Sequence, residues 1–381
     1  MCVYTNMDKG ITNSRKDKGK QIALKSDLIR VSDHHYKVNS QTTNRKYDVV
    51  KIDDKWTCSC TDHKFRKVCC KHIHAIEISI KIREEVREKN KVTISPIVTS
   101  NCKFCHSDNI KKFGIRKNKS GDIQRFVCSD CQKTFSINLG FERMKSTPQS
   151  ITSALQLYFT GESLRGVTKF LKLQGTNVSH VTVYNWITKY TELMQKYIDK
   201  IVPNVGDAFH ADEIYMKIKG DLKYLFALMD QETRYWIAQE VADRKEGHDA
   251  RGLLQKTKQI VQKKPKVFIT DGLGSYNEAY KKEFWTMKRQ DRTLHIRHIH
   301  LSGDRNNNIQ ERLNGEIRDR EKVMRGIKKK DTPILTGYQI FHNYFRPHMG
   351  LDGKTPSEAC GIEIEGENKW KTMIENASRS S

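Results

Sequence analysis

The amino-acid sequence predicts an α/β protein in which small cysteine-bearing units and a helical module precede a larger mixed α/β domain. Three observations lead to this prediction. After Pro203 the strand-like runs AFHADEIYMKI, KYLFALMD and YWIAQEVA are followed by alternating helix and strand patterns. From Pro148 to about Asp199, apolar residues recur three and four positions apart, as in amphipathic helices. Nine of the ten cysteines lie before residue 132, which places a different kind of unit at the amino end.

Composition limits the function classes. The chain has 381 residues and a formal net charge of +24, so a polyanion is the expected partner. Its 14 Phe, 14 Tyr and 5 Trp can build a core, which excludes a wholly disordered chain. No run approaches the roughly 18 apolar residues of a membrane span, and the first twenty residues lack a signal-peptide pattern. We therefore expect a cytoplasmic protein whose cysteines are thiols or metal ligands rather than disulfides.

Changes of pattern along the chain predict six segments. They are a flexible basic arm (1–20), a cysteine- and histidine-bearing unit with a strand and a charged helix (21–91), a second cysteine-bearing unit (98–140), a helical module (146–200), the mixed α/β domain (205–365) and a frayed polar tail (366–381). Residues 92–100 contain a proline and are predicted to be a linker.

The first predicted metal site, termed the first cysteine cluster, consists of Cys58, Cys60, Cys70 and His72. Two ligand pairs, each separated by one residue and joined by a short loop, suit a closed tetrahedral Zn²⁺ site. Cys69 is an alternative ligand to Cys70, although the CxH spacing favours Cys70. The other interpretation is a group of unrelated buried thiols. The pattern resembles the SWIM zinc finger, CxC followed by a variable loop and CxH.

The second cysteine cluster consists of Cys102, Cys105, Cys128 and Cys131, two CxxC motifs separated by 22 residues. Each motif can supply two thiolates, and the intervening segment can form a hairpin, so the pattern predicts a zinc ribbon. A redox CxxC is the alternative. Zinc would replace a core too small to hold such a unit together. Phosphate contacts are expected from the basic residues of the hairpin, Lys111, Lys112, Arg116, Lys117, Lys119 and Arg125.

The helical module has the pattern of a helix-turn-helix. A first helix, Ser163 to Leu171, is expected to bury Leu164, Val167, Phe170 and Leu171, and a link with Gly175 follows. Ser179 is the expected N-cap of a second helix whose apolar stripe is Val183, Trp186, Ile187 and Tyr190. An ordinary helical hairpin is the alternative, but VTVYNWITKY is similar to recognition helices of bacterial-type transposases. The residues expected to face DNA are Ser179, His180, Thr182 and Asn185.

Three acidic residues in the second half of the chain are candidate metal ligands. Asp212 lies in a strand, on the same side as Ile214 and Met216, where an unpartnered carboxylate is costly. Asp271 ends the apolar run Val267 to Thr270, at the edge where α/β sheets place their sites. Glu311 lies on the polar side of a predicted amphipathic helix. Carboxylates from two strands and a helix suit two Mg²⁺ or Mn²⁺ ions, which would activate a nucleophile and stabilise the leaving oxygen.

In order and context, Asp212, Asp271 and Glu311 in HADE, ITDG and NNNIQER resemble the DDE transposases of insertion sequences, relatives of retroviral integrases. The segment FHNYFRPHMGLDGKTPSEACG is similar to the end of integrase-like cores. The resemblance implies a ribonuclease H-like fold, in which a mixed sheet is flanked by helices. It also implies metal-dependent cleavage at transposon ends, strand transfer of the 3′-hydroxyl into target DNA, and a homo-oligomer on DNA. Glu316 is the alternative third acid, but it falls at the edge of the apolar stripe.

Other polar residues have plainer interpretations. The cluster His295, His298 and His300 lacks framing cysteines or carboxylates and is predicted to be a solvated or DNA-facing edge. A solvated helix face is the ordinary interpretation of the cations after Glu311, but that position favours contacts with DNA ends. These cations are Arg318, Arg320, Lys322 and Arg325. A rival function is a zinc-dependent DNA-binding regulator, such as a domesticated transposase without catalysis.

Overall fold

The computed structural model describes residues 9–25, 28–32, 34–42, 45–98, 100–118, 121–136, 138–288, 291–297, 308–323 and 332–380. The chain forms two compact units, each assembled from separate stretches. The first unit comprises Met1–Lys91, Pro203–Tyr215 and Lys223–Asn314, and the second comprises Val92–Val202, Met216–Leu222 and Gly315–Ser381.

The amino-terminal part of the first unit is a four-stranded sheet with three helices. Its elements are α1 (Lys9–Leu24), β1 (Leu28–Ser32), β2 (His35–Asn39), β3 (Lys46–Ile52), β4 (Lys55–Cys58), α2 (Thr61–Arg66) and α3 (Lys71–Lys89). The strands form an antiparallel meander in sequence order. A core of Tyr36, Val38 and Val49 also contains Ile22 of α1 and Ile76 of α3.

The prediction of a flexible basic arm is wrong for residues 9–20, because they form most of α1. Arg15 pairs with Asp62 at 3.0 Å, and Ile22 is fully buried. A Cβ added to Gly19 would lie 2.8 Å from the Cβ of His74, so α1 and α3 are in close contact at this point. The helix is stabilised by packing on a partner about fifty residues away, which local sequence patterns do not reveal. Residues 1–8 lie outside the described residues.

The second unit begins with a short strand, a small sheet and three helices. They are β5 (Val92–Ile94), β6 (Ile110–Asn118), β7 (Gly121–Cys128), β8 (Thr134–Ser136), α4 (Pro148–Thr160), α5 (Leu164–Leu173) and α6 (His180–Ile198). Strands β6, β7 and β8 form an antiparallel sheet with the predicted hairpin. Its core is small: the rings of Phe126 and Phe135 stack with centroids 5.8 Å apart, beside Cys102 and Cys128.

The two predicted helices of the helical module are present, and the expected N-cap is confirmed. The Ser179 side chain accepts a hydrogen bond from the backbone N–H of Thr182 at 3.1 Å. The predicted stripe of α6 is buried. In α5, Val167 and Leu171 are buried, but Phe170 is 39% exposed, so its predicted inward position is wrong. The short helix buries a stripe spaced by four residues, and Phe170 lies about 100° away from Leu171.

The first unit continues with the mixed sheet. Its elements are β9 (Ala208–Ile218), β10 (Asp221–Asp230), β11 (Trp236–Ala242), α7 (Gly247–Val261), β12 (Val267–Thr270), α8 (Gly274–Phe284) and β13 (Leu294–Arg297), followed by α9 (Asn308–Glu321), which extends into the second unit. The strand order is β11-β10-β9-β12-β13. Lys219 and Gly220 join β9 to β10 with φ of 55° and 93°, as a tight hairpin turn requires.

Parallel pairing brings β12 between β9 and β13. Val267 to Thr270 pair in register with Ala208 to Ala211, and on the other side with Leu294 to Arg297. Helix α7 packs on β11 and on α8. All four residues of β12 are buried, which explains its continuous apolar sequence. The predicted mixed sheet flanked by helices is confirmed.

Within the first unit, the amino-terminal sheet is joined to the mixed sheet. Arg30 of β1 pairs with Glu232, and Arg83 of α3 lies 3.6 Å from Asp207 and 3.7 Å from Glu232. Gln231 donates a hydrogen bond to the Val31 carbonyl at 2.9 Å. Asp207 and Glu232 lie just before β9 and just after β10, so the contacts are made at one end of these strands.

The last elements complete the second unit. They are α10 (Pro333–Tyr344), α11 (Pro356–Ala359), β14 (Ile362–Ile364) and α12 (Lys369–Arg379). Helices α10 and α12 pack against α4 and α6. Phe345 stacks on Trp370 with centroids 3.6 Å apart, and Trp370 donates a hydrogen bond to Gln156 at 2.7 Å.

Two predictions about chain ends and linkers are wrong. Residues 92–94 of the predicted linker form β5, which pairs in parallel with β14. Residues 369–379 of the predicted frayed tail form α12, which buries Trp370, Met373 and Ile374. Both segments are ordered by partners far away in sequence, so the proline in 92–100 and the polar composition of 366–381 were poor guides. None of the helices in the described part of the chain has the length and apolar run needed to cross a bilayer.

Candidate active site

Two predicted acids and one unpredicted acid lie together where β9 and β12 run side by side. Ala211 pairs with Thr270, so the next residue of each strand, Asp212 and Asp271, follows at the same level. Carboxylate oxygens of Asp212, Glu213 and Asp271 lie within 4.8 Å of one another. We call these three residues the acid cluster.

Hydrogen bonds fix the two aspartates. Asp212 accepts a bond from the side-chain amide of Asn314 at 2.7 Å and from the Glu213 backbone N–H at 2.9 Å. Asp271 accepts a bond from the Leu273 backbone N–H at 3.1 Å. Gly272, which lies between Asp271 and Leu273, has a φ of +101°, a conformation that favours glycine. It therefore permits the turn that follows Asp271.

The acid cluster is electrostatically strained by its own charges. Burial, followed by the charge of Asp271, raises the pKa of Asp212 to about 6. Burial also raises the pKa of Glu213 to about 7, with the nearby aspartates adding to the effect of burial and Lys245 opposing it. Burial and the same carboxylates raise the pKa of the Tyr276 phenol well above its usual range. A cation held among these oxygens would relieve the repulsion, so the residues fit a hard divalent ion.

Glu213 is the member of the cluster that the sequence interpretation missed. Its side chain is 2% exposed, and one oxygen pairs with the Lys245 ammonium at 2.6 Å. Within the described residues its other oxygen, Oε2, has no hydrogen-bond partner. The Lys245 ammonium also lies 5.0 Å from the Tyr215 ring centroid and 5.1 Å from that of Tyr224. The available signal was a second acid in HADE within a strand buried on both faces.

Glu311 is not part of the acid cluster. It lies in the first turn of α9 with an exposed side chain. Asn314, about one turn further on, contacts Asp212, so α9 passes beside the cluster. The alternative acid, Glu316, is held by an ion pair with Arg346 at 2.5 Å and lies 3.6 Å from His342. The Glu316 carboxylate is therefore already engaged in an ion pair, whereas Glu311 has an exposed side chain.

The first cysteine cluster is assembled from the ends of three elements. Cys58 ends β4, Cys60 and Cys70 precede α2 and α3, and His72 lies in the first turn of α3. Their ligand atoms lie within 4.8 Å of one another, with the His72 Nδ1 3.7 Å from the Cys58 sulfur and 3.8 Å from the Cys70 sulfur. A tetrahedral ion with zinc–ligand bonds of about 2.0–2.3 Å needs spacings of about 3.6–3.8 Å. The four residues therefore fit zinc.

The second cysteine cluster is also preformed. The sulfur atoms of Cys102 and Cys131 are 3.6 Å apart, and those of Cys105 and Cys128 are 3.5 Å apart. Each CxxC motif is followed by a residue with positive φ, His106 or Gln132, at the turn of the knuckle. The spacing again approaches the edge of a tetrahedron around zinc. The hairpin that separates the two motifs is β6–β7.

The residues predicted to contact DNA have mixed positions. Ser179, His180 and Asn185 are exposed, and Thr182 is half-buried. Arg318 is exposed on α9, and Arg325 lies outside the described residues. Four hairpin cations are exposed, whereas Arg125 is half-buried beside the ring of Phe113 and Lys119 lies outside the described residues. The exposed four are Lys111, Lys112, Arg116 and Lys117.

Two expectations about surface residues are wrong. Arg320 is 4% exposed, with its guanidinium 4.5 Å from the Tyr158 ring centroid and a hydrogen bond to the Glu162 carbonyl, so it cannot hold DNA. His295 is half-buried: its ring lies 5.3 Å from that of Phe268, and its Nε2 is 3.0 Å from the Thr270 hydroxyl. The packing of neighbouring elements, which a helix or strand pattern does not specify, covers both side chains. His298 and His300 lie outside the described residues.

The site residues fall in a segment similar to transposases. Residues 206–348, which contain Asp212, Asp271 and Glu311, match the family model of a DDE domain of the IS240 transposase type. The transposase of the element IS431mec from Staphylococcus aureus strain Mu50 is 29% identical over 125 residues, which are 32% of this chain and 53% of the relative. The transposase of IS257 in transposon Tn4003, also from Staphylococcus aureus, matches to the same extent. The chain spans about half the length of these relatives.

Solved structures of viral integration proteins are also similar to part of the chain. The catalytic core domain of HTLV-2 integrase, solved in complex with magnesium, is 14% identical with a TM-score of 0.30, over 42% of this chain and 98% of that chain. A simian T-cell lymphotropic virus intasome in complex with the PP2A regulatory subunit B56 gamma is 15% identical with a TM-score of 0.32, over 54% of this chain and 72% of that chain.

Proposed function

We propose that this protein is a DNA transposase that cleaves transposon ends and joins the 3′-hydroxyl to target DNA, with Mg²⁺ or Mn²⁺ as cofactor. The observation that carries the proposal is the juxtaposition of Asp212 and Asp271 inside the segment that matches the DDE family model. The net charge of +24 supports a DNA substrate. Because the proposed partner is DNA and the similar transposases are bacterial, the proposed location is the cytoplasm.

In this proposal the acid cluster holds the divalent ions. Held by Asp212, Glu213 and Asp271, such ions would supply activation of the attacking water or 3′-hydroxyl and stabilisation of the leaving oxygen in an in-line displacement. The chain's own contribution is positioning: Asn314 and the Glu213 backbone N–H orient Asp212, and the Leu273 N–H orients Asp271. Lys245 offsets the charge of Glu213 beside them.

Glu311 is proposed as a further metal ligand, in addition to the three carboxylates of the acid cluster. Its side chain is exposed in the first turn of α9, about one turn before the residue that contacts Asp212, so a change of rotamer and a small movement of α9 would turn it toward the cluster. Glu311→Gln should therefore abolish strand transfer. Glu316→Gln should act through stability, because Glu316 pairs with Arg346. If Glu316→Gln alone abolished strand transfer in a stable protein, the assignment of Glu311 would be wrong.

The direct test uses purified protein, Mg²⁺ and oligonucleotides that carry the terminal inverted repeats of the element encoding it. Asp271→Asn should abolish cleavage and joining while leaving binding of the ends largely intact. Asp221→Asn, at an exposed position at the start of β10, is the matched control and should keep activity. Full activity of Asp271→Asn would refute the proposal.

We also propose that both cysteine clusters bind structural zinc and that α5 and α6 form a helix-turn-helix on DNA. Ser179, His180, Thr182 and Asn185 would meet bases or phosphates, and Arg318 and Arg325 would meet the DNA ends. On specific DNA, His180→Ala with Asn185→Ala should weaken binding without changing the salt slope greatly. Loss of binding to every sequence alike would argue against base recognition.

The hairpin of the zinc ribbon is proposed to contact phosphates. Lys111→Ala with Lys112→Ala should flatten the dependence of log K on log salt, by up to about 0.9 for each lost contact. The control is Lys281→Ala with Lys282→Ala, an exposed pair on α8. Point variants are preferable to deleting the amino-terminal residues, because Arg30 and Arg83 neutralise Asp207 and Glu232 of the mixed sheet. An unchanged slope would count against the hairpin.

One observation favours a second candidate, a zinc-dependent DNA-binding regulator derived from a transposase. Glu311 is absent from the acid cluster, whose third member is Glu213. A regulator would bind the terminal repeats and neither nick nor join them in Mg²⁺ or Mn²⁺.

The transposase is also proposed to act as a homo-oligomer on DNA, which light scattering of the complex with end DNA can measure. A single protomer active in strand transfer would exclude that assembly.

A further inference from the structure

Cys69, which lies beside the first cysteine cluster, belongs to a different group of potential metal ligands. Cys69 immediately precedes Cys70, yet its sulfur lies with side-chain atoms of His74 and Glu77, all within 4.8 Å of one another. Cys70 and the two other cysteines of the first cluster surround His72 instead. Two neighbouring cysteines thus point to two separate groups.

Backbone geometry explains the separation. Cys70 has an extended conformation, φ −82° and ψ 167°, and in extended chain successive side chains point to opposite sides. His72 and His74 are two positions apart in α3, which turns them by about 200° relative to each other. His74 and Glu77 are three positions apart and share one face. The chain therefore directs Cys70 and His72 to one side and Cys69, His74 and Glu77 to the other.

The distance between the ligand atoms of His74 and Glu77 suits a metal ion. The Nδ1 of His74 lies 3.5 Å from Oε2 of Glu77. A tetrahedral ion with nitrogen and oxygen ligands at about 2.0–2.1 Å requires about 3.3–3.4 Å between them. Helix α1 supports this arrangement, because Gly19 allows it to approach the Cβ of His74 closely and so limits movement of the histidine.

The ligand types select the ion. One thiolate, one imidazole and one carboxylate suit zinc and related transition metals, whereas a thiolate is a poor ligand for Mg²⁺ or Ca²⁺. The charges of a thiolate and a carboxylate would balance Zn²⁺. All three side chains are half-buried, with His74 20% and Glu77 32% exposed. Three protein ligands leave a fourth position for water, so the ion would exchange more readily than one held by four ligands.

We infer that Cys69, His74 and Glu77 form a third, exchangeable zinc site that stabilises the contact of α3 with the loop that precedes it. This inference is independent of activity on DNA, because the site contains none of the residues assigned to cleavage or DNA binding. A chain without strand-transfer activity would still bind the third ion.

The experiment measures how many zinc ions the full-length protein binds, by mass spectrometry of the metal. Titration with Zn²⁺ in competition with a chromogenic chelator measures how tightly each ion is held. We expect three equivalents in the wild type, the third released first. Cys69→Ser and His74→Ala should each lose that same equivalent and keep two. Cys360→Ser removes a buried cysteine that lies in none of the three groups and should keep three.

Each other outcome would overturn the inference. Two equivalents in the wild type, unchanged in Cys69→Ser, would mean that His74 and Glu77 form only an ion pair. Loss of an equivalent in Cys69→Ser but not in His74→Ala would place Cys69 in the first cysteine cluster. Circular dichroism and retention of the two tighter equivalents show whether a variant has folded, and Glu77→Gln, a milder change, should weaken the third ion in a folded chain.

Discussion

Replacing one acid of the cluster should stabilise the metal-free protein while destroying its proposed activity. Asp271→Asn removes a negative charge that lies beside the carboxylates of Asp212 and Glu213. The charge of Asp271 is the second cause, after burial, of the raised pKa of Asp212. A group of carboxylates that repel one another in this way is less stable without a cation than a variant in which one charge is removed.

The size of the effect follows from the pKa of Asp212. A rise from 3.8 to about 6 corresponds to roughly 3 kcal/mol of lost stability when the group is ionised, at about 1.4 kcal/mol per pH unit. Burial accounts for the larger share, and Asp271 is exposed, so solvent weakens its repulsion. We expect Asp271→Asn to raise the free energy of unfolding by about 1 kcal/mol.

The sign of the pH dependence is a separate check. Because the folded-state pKa of Asp212 is raised, the penalty is absent below pH 4, where the group is protonated in both states, and complete above about pH 6. The stabilisation by Asp271→Asn should therefore appear at pH 8 and vanish near pH 4. Urea unfolding in buffer without added Mg²⁺ or Mn²⁺ and without a chelator, at the two pH values, measures it, with Asp221→Asn as the control.

Magnesium should reverse the order of stability. At a concentration of about 100 times its dissociation constant, an ion bound only by the folded state adds about 2.7 kcal/mol. The wild type should gain stability in Mg²⁺ at pH 8, and Asp271→Asn should gain little. A variant that is no more stable than the wild type in the absence of Mg²⁺, or that gains as much from Mg²⁺, would refute the electrostatic account of the acid cluster.

Three further predictions concern stability. Gly337→Ala should lower the free energy of unfolding in urea by about 1–2 kcal/mol, because the new Cβ would clash with the Phe159 ring and lie 2.6 Å from the Thr191 hydroxyl. Gly252→Ala, in an open part of α7, should be neutral or slightly stabilising. Equal effects of the two substitutions would contradict the packing at Gly337. Lys245→Met should cost about 2 kcal/mol at pH 8 and less at pH 5, where Glu213 is protonated; an equal cost at both values would contradict the ion pair. Chelating zinc should unfold the β6–β8 sheet while leaving α4–α6 helical, as followed by hydrogen exchange, and a protected sheet in the chelator would argue against structural zinc.

Local pattern was informative where a segment's own residues decide its structure. Strands β9 to β12 were predicted from apolar runs, because a strand buried on both faces must be apolar almost throughout. Ser179 was predicted as an N-cap, because a serine side chain can accept a bond from the backbone two or three residues on. The cysteine clusters followed from ligand spacing, which the short loops between the ligands largely preserve.

Pattern was a poor guide where a distant partner decides. The helix α1 is polar, but it packs on α3 through Ile22. Arg320 lies on a helix face that is rich in charge, yet Tyr158 covers its guanidinium. Glu213 was overlooked because alternation along β9 places it opposite Asp212, whereas the structure brings both carboxylates near Asp271.

By itself, the sequence determined the basic charge, the two candidate sets of cysteine and histidine ligands, the order of strands and helices between Ala208 and Thr270, and the candidacy of Asp212 and Asp271. Only the tertiary structure decided that β12 lies in register beside β9, that Glu213 joins these aspartates, that Glu311 stands apart, and that β5 pairs with β14. The reason is physical: ligand spacing, capping and apolar periodicity act over a few residues. The register of parallel strands and the burial of a charge depend on partners tens or hundreds of residues away.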